Sequence, residues 1–177
     1  MNRTRPLLLA AALLLPGAVL AQGDRVKRGE YLVTIGSCHD CHTPLMMGPG
    51  GPEPDMRRAL SGHPQDIVIK AQAPVSGPWM ATASSTLTAW SGPWGVSFSA
   101  NLTPDPETGV LQGFTEEQFI QTLRTGRHQG QGRQILPPMP WPFIGQMTDD
   151  DLKAVFAYLR QIPAVRNKVP APIPPAQ

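Results

Sequence analysis

Two thiols and an imidazole stand together at Cys38-His39-Asp40-Cys41-His42. Each sulfur of such a pair can add to a vinyl group of a porphyrin. The histidine that follows the second thiol is then placed to ligate the iron, so Cys-x-x-Cys-His is the attachment pattern of a covalent c-type haem. The chain has only these two cysteines, so its thiol chemistry is confined to this one place. A redox-active dithiol belongs in a βαβ setting, which is absent here, and would leave His42 without a task. A zinc site needs more ligands, and His39, His63 and His128 show no second paired spacing.

A haem iron that carries electrons needs a second axial ligand, and a thioether suits a high potential because it favours ferrous iron. The candidates are Met46, Met47, Met56, Met80, Met139 and Met147. Met139 is the preferred one, since it lies in Pro137-Pro138-Met139-Pro140. Each proline fixes its own φ, and Pro140 restricts Met139 to an extended conformation. The unfolded chain is already stiff, so presenting the sulfur costs less entropy. Met46 and Met47 follow His42 too closely to reach the opposite side of a porphyrin, and Met147 is claimed by a helix start. His128 reads as a surface histidine or a propionate neighbour, with an iron ligand as the alternative, and His39 faces solvent. Arg124, Arg127 and Arg133 either pair with propionates, as arginine suits bidentate carboxylate contacts, or solvate a helix end. Trp141 either covers a haem edge or packs in the core.

Three segments must position these groups. The first helix is expected over 24–35, with Asp24 as N-cap, and it delivers the chain into Cys38. The second is expected over 116–125, where Thr115-Glu116-Glu117-Gln118 forms a capping box and Phe114 and Phe119 a hydrophobic staple. The third is expected over 149–161, capped by Thr148, with three aspartates facing the positive end of the helix dipole. Thr43 to Phe114 is rich in Gly, Pro, Ser and Thr and reads as a long loop insertion, with Ile67-Val68-Ile69 as a short strand. Its tryptophans, Trp79, Trp90 and Trp94, are expected against a haem face. The fold class is therefore all-α, with three main helices around the cofactor. Beyond Pro163 the Pro/Ala-rich tail is expected to be extended or mobile.

Asn2-Arg3-Thr4-Arg5, the apolar run Leu7 to Leu15 and Val19-Leu20-Ala21 together have the form of a cleavable secretory signal. The expected organisation is a signal peptide over 1–21, a monohaem domain over 22–163 and a tail over 164–177. The full chain of 177 residues carries a formal charge of +2, which falls to zero when Arg3 and Arg5 leave with the signal. That balance gives no basis for nucleic-acid binding and no strong steering field. The location expected is the bacterial periplasm, with no stable membrane insertion after cleavage.

Beyond these residues, the chain resembles a class I-type cytochrome c domain. Gly29-Glu30-Tyr31-Leu32, Cys38 to Pro44, Pro138-Met139-Pro140 and Phe156-Ala157-Tyr158-Leu159 carry the likeness. It is similar in particular to single domains of the cytochrome c subunits of membrane-bound alcohol and gluconate dehydrogenases. Here the matching stretches are Ser99-Ala100-Asn101-Leu102-Thr103-Pro104-Asp105, Thr108-Gly109, Phe114 to Phe119 and Leu123-Arg124-Thr125-Gly126. The resemblance implies a cytochrome c fold in which the first and last helices cross, with Gly29 against Tyr158 or Phe156. It also implies one covalent haem c held by Cys38, Cys41, His42 and Met139, and one-electron carriage without catalysis. Redox proteins such as a dehydrogenase or a terminal oxidase are the partners implied. Those subunits carry three such domains, whereas this chain has one attachment motif. Two other readings remain at this point: a haem enzyme or small-ligand sensor with a labile distal ligand, and an obligate subunit of a dehydrogenase complex.

Overall fold

The computed structural model describes residues 17–176, with side chains from Gln22 onward. Residues 1–16, most of the expected signal peptide, lie outside the described residues. Helix α1 spans Gly17–Ile35, so it runs across the expected cleavage junction and Asp24 lies inside it rather than at its cap. A left-handed Ser37 turns the chain into the short α2, Cys38–His42.

Helix α3, Glu116–Thr125, starts where side chains satisfy its first N–H groups. Thr115 Oγ1 accepts from the Gln118 N–H at 3.1 Å, and Gln118 Oε1 accepts from the Thr115 N–H at 3.0 Å. It stops at Gly126, which is left-handed with φ 65°. A four-residue helix α4, Trp141–Ile144, precedes α5, Asp149–Leu159. The Thr148 hydroxyl caps α5 by accepting from the Asp151 N–H at 3.2 Å.

The apolar faces of α1, α3 and α5 meet in one core: Leu32 and Val33 from the first, Phe119, Ile120 and Leu123 from the second, Leu152, Val155, Phe156 and Leu159 from the third. Phe119 and Phe156 lie 5.2 Å apart, ring centre to ring centre. Full burial of a side chain such as Leu152 contributes about 1.5–3 kcal/mol. Surface ion pairs follow the same three contacts. Arg25 pairs with Glu116, Arg28 with Asp151 at 2.9 Å, and Arg124 with Asp149 at 2.6 Å. These pairs lie at the surface, Arg25–Glu116 half-buried and the other two more open, so each adds about 0–1 kcal/mol; the core decides the packing.

The all-α expectation, with three main helices and a long loop, does not hold. The described residues form five α-helices, two 3₁₀ turns and five strands in two antiparallel sheets. Strands β1 (Leu45–Gly48) and β2 (Gly51–Pro54) make a hairpin in which Met46 opposes Glu53. Strands β3 (Thr82–Ala83), β4 (Ala89–Gly92) and β5 (Gly95–Phe98) make a second sheet, and Gly92 opposes Gly95 across a two-residue turn. Both sheets fall between Thr43 and Phe114. Ile67-Val68-Ile69 is not one of these strands, and Val68 is exposed. Among the described residues no helix is long and apolar enough to cross a membrane.

The crossing of α1 and α5 depends on Gly29. A Cβ there would lie 2.0 Å from the Ala154 carbonyl oxygen and 2.7 Å from Tyr158 Cβ, closer than atoms can pack. Gly29→Val is therefore expected to lower stability by about 1–3 kcal/mol or more through overpacking. Denaturant unfolding measures this; an unchanged midpoint would show that the two helices can separate there without cost.

Candidate functional site

The helical core leaves one large cavity, about 1160 Å³ including its mouth. Cys38, Cys41 and His42 of α2 form one side of it. Phe119 and Leu123 of α3, Val155 and Leu159 of α5, and Ser97 and Phe98 of β5 form its walls, and the segment from Arg133 to Met139 closes a further side. The lining is mostly apolar, which suits a large flat hydrophobic group and excludes water.

Helix α2 carries the two thiols one turn apart, on one face. Both are free. Burial pushes the Cys38 thiol up to about 11, and burial, aided by Asp40, raises Cys41 as well. Reactive dithiols have lowered pKa values, so this pair is not poised for thiol–disulfide exchange. Among the described residues no three His, Cys, Asp or Glu side chains gather as a metal site.

His42 is buried, and its Nδ1 lies 2.8 Å from the Ala100 carbonyl oxygen. A carbonyl can only accept, so Nδ1 carries the proton and Nε2 keeps its lone pair. Burial lowers the ring's pKa, against the opposing pull of the Ala100 carbonyl. A neutral imidazole with a fixed tautomer is the state a metal ligand requires.

The Ala100 carbonyl is held from several sides. Gly62 donates its N–H to the His42 carbonyl at 2.8 Å, and a Cβ on Gly62 would lie 2.6 Å from the Ala100 carbonyl carbon and oxygen. On either side of Ala100, Ser99 O accepts from the His63 N–H at 3.0 Å and Asn101 O from the Val110 N–H at 2.8 Å. Asn101 itself is buried; its Oδ1 accepts from the Thr103 N–H at 3.0 Å and the Thr103 hydroxyl at 2.7 Å. Asp105 Oδ1 accepts from the Thr108 N–H at 2.8 Å and the Thr108 hydroxyl at 2.6 Å, which holds its carboxyl below the usual range. Sequence reasoning gave this stretch no role beyond resemblance. Its alternation of Asn, Thr, Asp and Thr at 101, 103, 105 and 108 was the available signal, because such side chains hydrogen-bond nearby backbone in irregular segments.

Of the methionines, Met139 lines the cavity. Met46, Met47, Met56 and Met80 are exposed. Met147 packs against the helical core near Gly36. The Met139 segment is anchored at both ends. Ile135 N–H donates to the Gly126 carbonyl at 2.8 Å, and the Ser97 hydroxyl donates to the Pro137 carbonyl at 2.5 Å.

The remaining candidates are distributed unevenly. Arg133 and His128 line the cavity, with His128 edge-on to Phe114 at 5.0 Å. Arg124 is engaged by Asp149, and Arg127 donates to the Gly132 carbonyl at 3.2 Å. Trp90 lines the cavity, whereas Trp79 is exposed and Trp94 Nε1 donates to Ser97 Oγ at 3.2 Å. Trp141 does not line the cavity; its ring lies over Gly126 and packs against the core. His39 is half-buried, and its Nδ1 lies 2.8 Å from the Thr43 hydroxyl.

Comparison with known proteins places this geometry in context. No family model matches the chain. It is 29% identical over 148 residues to the cytochrome c subunit of a quinone alcohol dehydrogenase from Gluconobacter oxydans, covering 82% of this chain and 23% of that one. It is 30% identical over 134 residues to the gluconate 2-dehydrogenase cytochrome c subunit of Pantoea cypripedii, covering 75% and 22%. The fructose dehydrogenase cytochrome subunit of Gluconobacter japonicus is 27% identical over 163 residues, covering 90% and 26%. The chain is a homologue of these cytochrome c subunits. It spans about a quarter of their length. Covalent haem c is the cofactor that this kinship implies. The cavity passes the chemical test for it: two protonated thiols, a neutral imidazole and a thioether share one apolar space.

Outside the cavity lining, the buried His63 donates from Nε2 to the Ile67 carbonyl at 2.8 Å and accepts at Nδ1 from the Thr88 hydroxyl at 2.9 Å. Burial lowers its pKa. The unfolded chain takes up a proton at the ordinary histidine value of about 6.5, while the folded chain resists until a lower pH. This contribution to stability is therefore complete above about pH 6.5 and is lost as pH falls below it. His39, His42 and His128 are shifted in the same direction. Thermal unfolding is expected to shift downward between about pH 7 and about pH 5, with a shallower slope in His63→Gln. An identical slope in the variant would remove His63 from this account.

Proposed function

We propose that this chain is an exported carrier of single electrons. In this reading Cys38 and Cys41 would bond one haem c through thioether links, and His42 and Met139 would be the two residues that hold its iron. The observation that supports it most is the shared cavity: of all the candidate ligands, only this set and His128 border the same apolar space.

The haem, when bound, supplies reversible one-electron chemistry at its iron. The rest is the work of the chain. The Ala100 carbonyl keeps the His42 proton on Nδ1, so that Nε2 is always available and the imidazole is made more basic. The proline-flanked loop presents the Met139 sulfur with little freedom to lose, and a His/Met pair raises the potential. The apolar walls exclude water from the iron. With two strong protein ligands in place there is no coordination position for a substrate, so the chain is a carrier and not itself a catalyst. Arg133, on the cavity's lining and exposed, is the arginine best placed to pair with a propionate.

The partners proposed are redox proteins: a dehydrogenase as donor, by analogy with the relatives' own names, and a terminal oxidase or similar acceptor. The proposed location is the bacterial periplasm, reached with a signal peptide over 1–21 that leaves a monohaem domain over 22–163 and its tail.

Met139→Ala is expected to abolish the long-wavelength sulfur-to-iron absorption band, lower the reduction potential and open the ferrous iron to carbon monoxide. Met47→Ala, altering an exposed sulfur, is expected to change none of these. Visible spectra and a potentiometric titration decide the matter. A persistent band in Met139→Ala would assign the ligand elsewhere, and rapid carbon monoxide binding by the unaltered protein would favour a sensor or haem enzyme.

A further inference from the structure

The chain beyond Pro163 is irregular, yet it is fastened at several points along its length. Asn167, buried, donates from Nδ2 to the carbonyls of Ser61 and His63 at 2.7 and 2.8 Å. Its Oδ1 accepts from the Gln65 N–H at 2.9 Å. The Val165 carbonyl accepts from Asn101 Nδ2 at 2.8 Å. Further along, Pro172 lines the cavity. Ile173 and Val96 exchange both backbone hydrogen bonds, at 2.8 and 3.0 Å.

These attachment points fall on the elements that hold the two proposed axial ligands. Asn167 ties down the carbonyls on either side of Gly62, the residue that donates to the His42 carbonyl and packs on the Ala100 carbonyl. Asn101, held by Val165, is the neighbour of Ala100. Val96, held by Ile173, is the neighbour of Ser97, whose hydroxyl holds the Pro137 carbonyl of the Met139 loop. The first half of the tail thus backs the histidine side and the second half backs the methionine side. The end of α3 holds the start of the methionine loop through the Gly126 carbonyl, and the tail adds a second, separate hold through β5.

We propose that residues 164–176 form a strap that positions both axial ligands, His42 through Asn167 and Asn101, and Met139 through Ile173 and β5. This inference rests on the His42/Met139 reading above. Asn167, Asn101 and Ile173 are positioning residues, since their hydrogen bonds run to backbone groups beside the ligands and not to the ligands' own coordinating atoms. The two halves of the strap act on different ligands, so they can be separated by experiment.

The test uses the haem-loaded protein in three forms: unaltered, Asn167→Ala, and a chain ending at Pro170, which keeps Asn167 and removes Ile173. The readouts are the reduction potential, hydrogen exchange of the His42 Nδ1–H by NMR, and the rate at which cyanide displaces the sulfur ligand from ferric iron. Asn167→Ala loosens the Ala100 carbonyl, which makes the imidazole a weaker donor. The potential is expected to rise, and Nδ1–H exchange to quicken by about tenfold, the scale of one ordinary hydrogen bond. The shortened chain is expected to exchange Nδ1–H like the unaltered protein but to lose its sulfur ligand about tenfold faster. Should Asn167→Ala fail to accumulate as holoprotein, Asn167→Ser carries the same expectation at smaller size.

If both variants merely melt at lower temperature, with potential, exchange and displacement unchanged, the strap is only structural and the proposal is overturned. A sulfur-to-iron band missing from the unaltered protein would instead overturn the Met139 reading and the methionine half of this one. The Nδ1–H exchange would then still decide the histidine half.

Discussion

The hydrogen bond from His42 Nδ1 to the Ala100 carbonyl, 2.8 Å long, is the contact on which the arrangement turns. An imidazole that can swing or exchange tautomers is a poor ligand, and one locked by a carbonyl keeps Nε2 as a base at all times. The lock is only as firm as the carbonyl. Ala100 lies in an irregular segment with no ladder of its own, so its position has to be imposed by neighbours. Gly62 packs on one side, Asn101 and Thr103 close the other, and Thr43 ties the end of α2 to Leu60 through a 2.9 Å bond. Much of the non-helical part of the chain is the scaffold of a single acceptor atom.

This explains why a helical core alone would not suffice. Helices α1, α3 and α5 bury their stripes against one another and leave a cavity bounded on some sides only. Strand β5 and the segments beside it supply a further wall, and they carry hydrogen-bonding groups that a helix surface lacks, its backbone being already paired. Ser97 shows the benefit: from a buried strand position its hydroxyl reaches the Pro137 carbonyl. The sheet therefore links the histidine side of the cavity to the methionine loop.

The parts that were legible in the sequence share one property, which is locality. Thr115 with Gln118, Thr148 with Asp151, and Gly126 as a stop are partners within four residues, and their chemistry reads directly from spacing. Cys38, Cys41 and His42 are legible for the same reason. The sheets were not, because their strands are two to four residues long and hold Gly, Ser and Ala without a clear apolar alternation. The turn Gly92-Pro93-Trp94-Gly95 between two short strands was the best available hint of a hairpin. Trp141 stayed open between two places because an aromatic beside a ligand loop can pack inward as easily as outward. Its seat over Gly126 depends on the end of α3, remote in sequence. The Asn101 and Asn167 contacts join residues far apart in the chain, and no local pattern predicts them.

Disulfides are one way for a domain to secure irregular segments. The described chain has its cysteines in one motif, both unpaired, so other bonds must do that work. Buried and half-buried amides and hydroxyls take over: Asn101, Thr103, Thr108 and Asn167 each join two or more backbone segments. Each such bond contributes only about 0.5–1.5 kcal/mol net, but leaving one buried partner unmet costs about 1–3 kcal/mol. Such a network is therefore cooperative in its failure, since releasing one amide strands several carbonyls at once. It also responds to strain differently from a disulfide, because it yields by small shifts rather than by breaking a covalent link. Under the ligand assignment proposed above, a site whose ligand must stay fixed while the charge of its metal changes would be served by that compliance, provided the hydrogen-bonded ring around Ala100 remains complete.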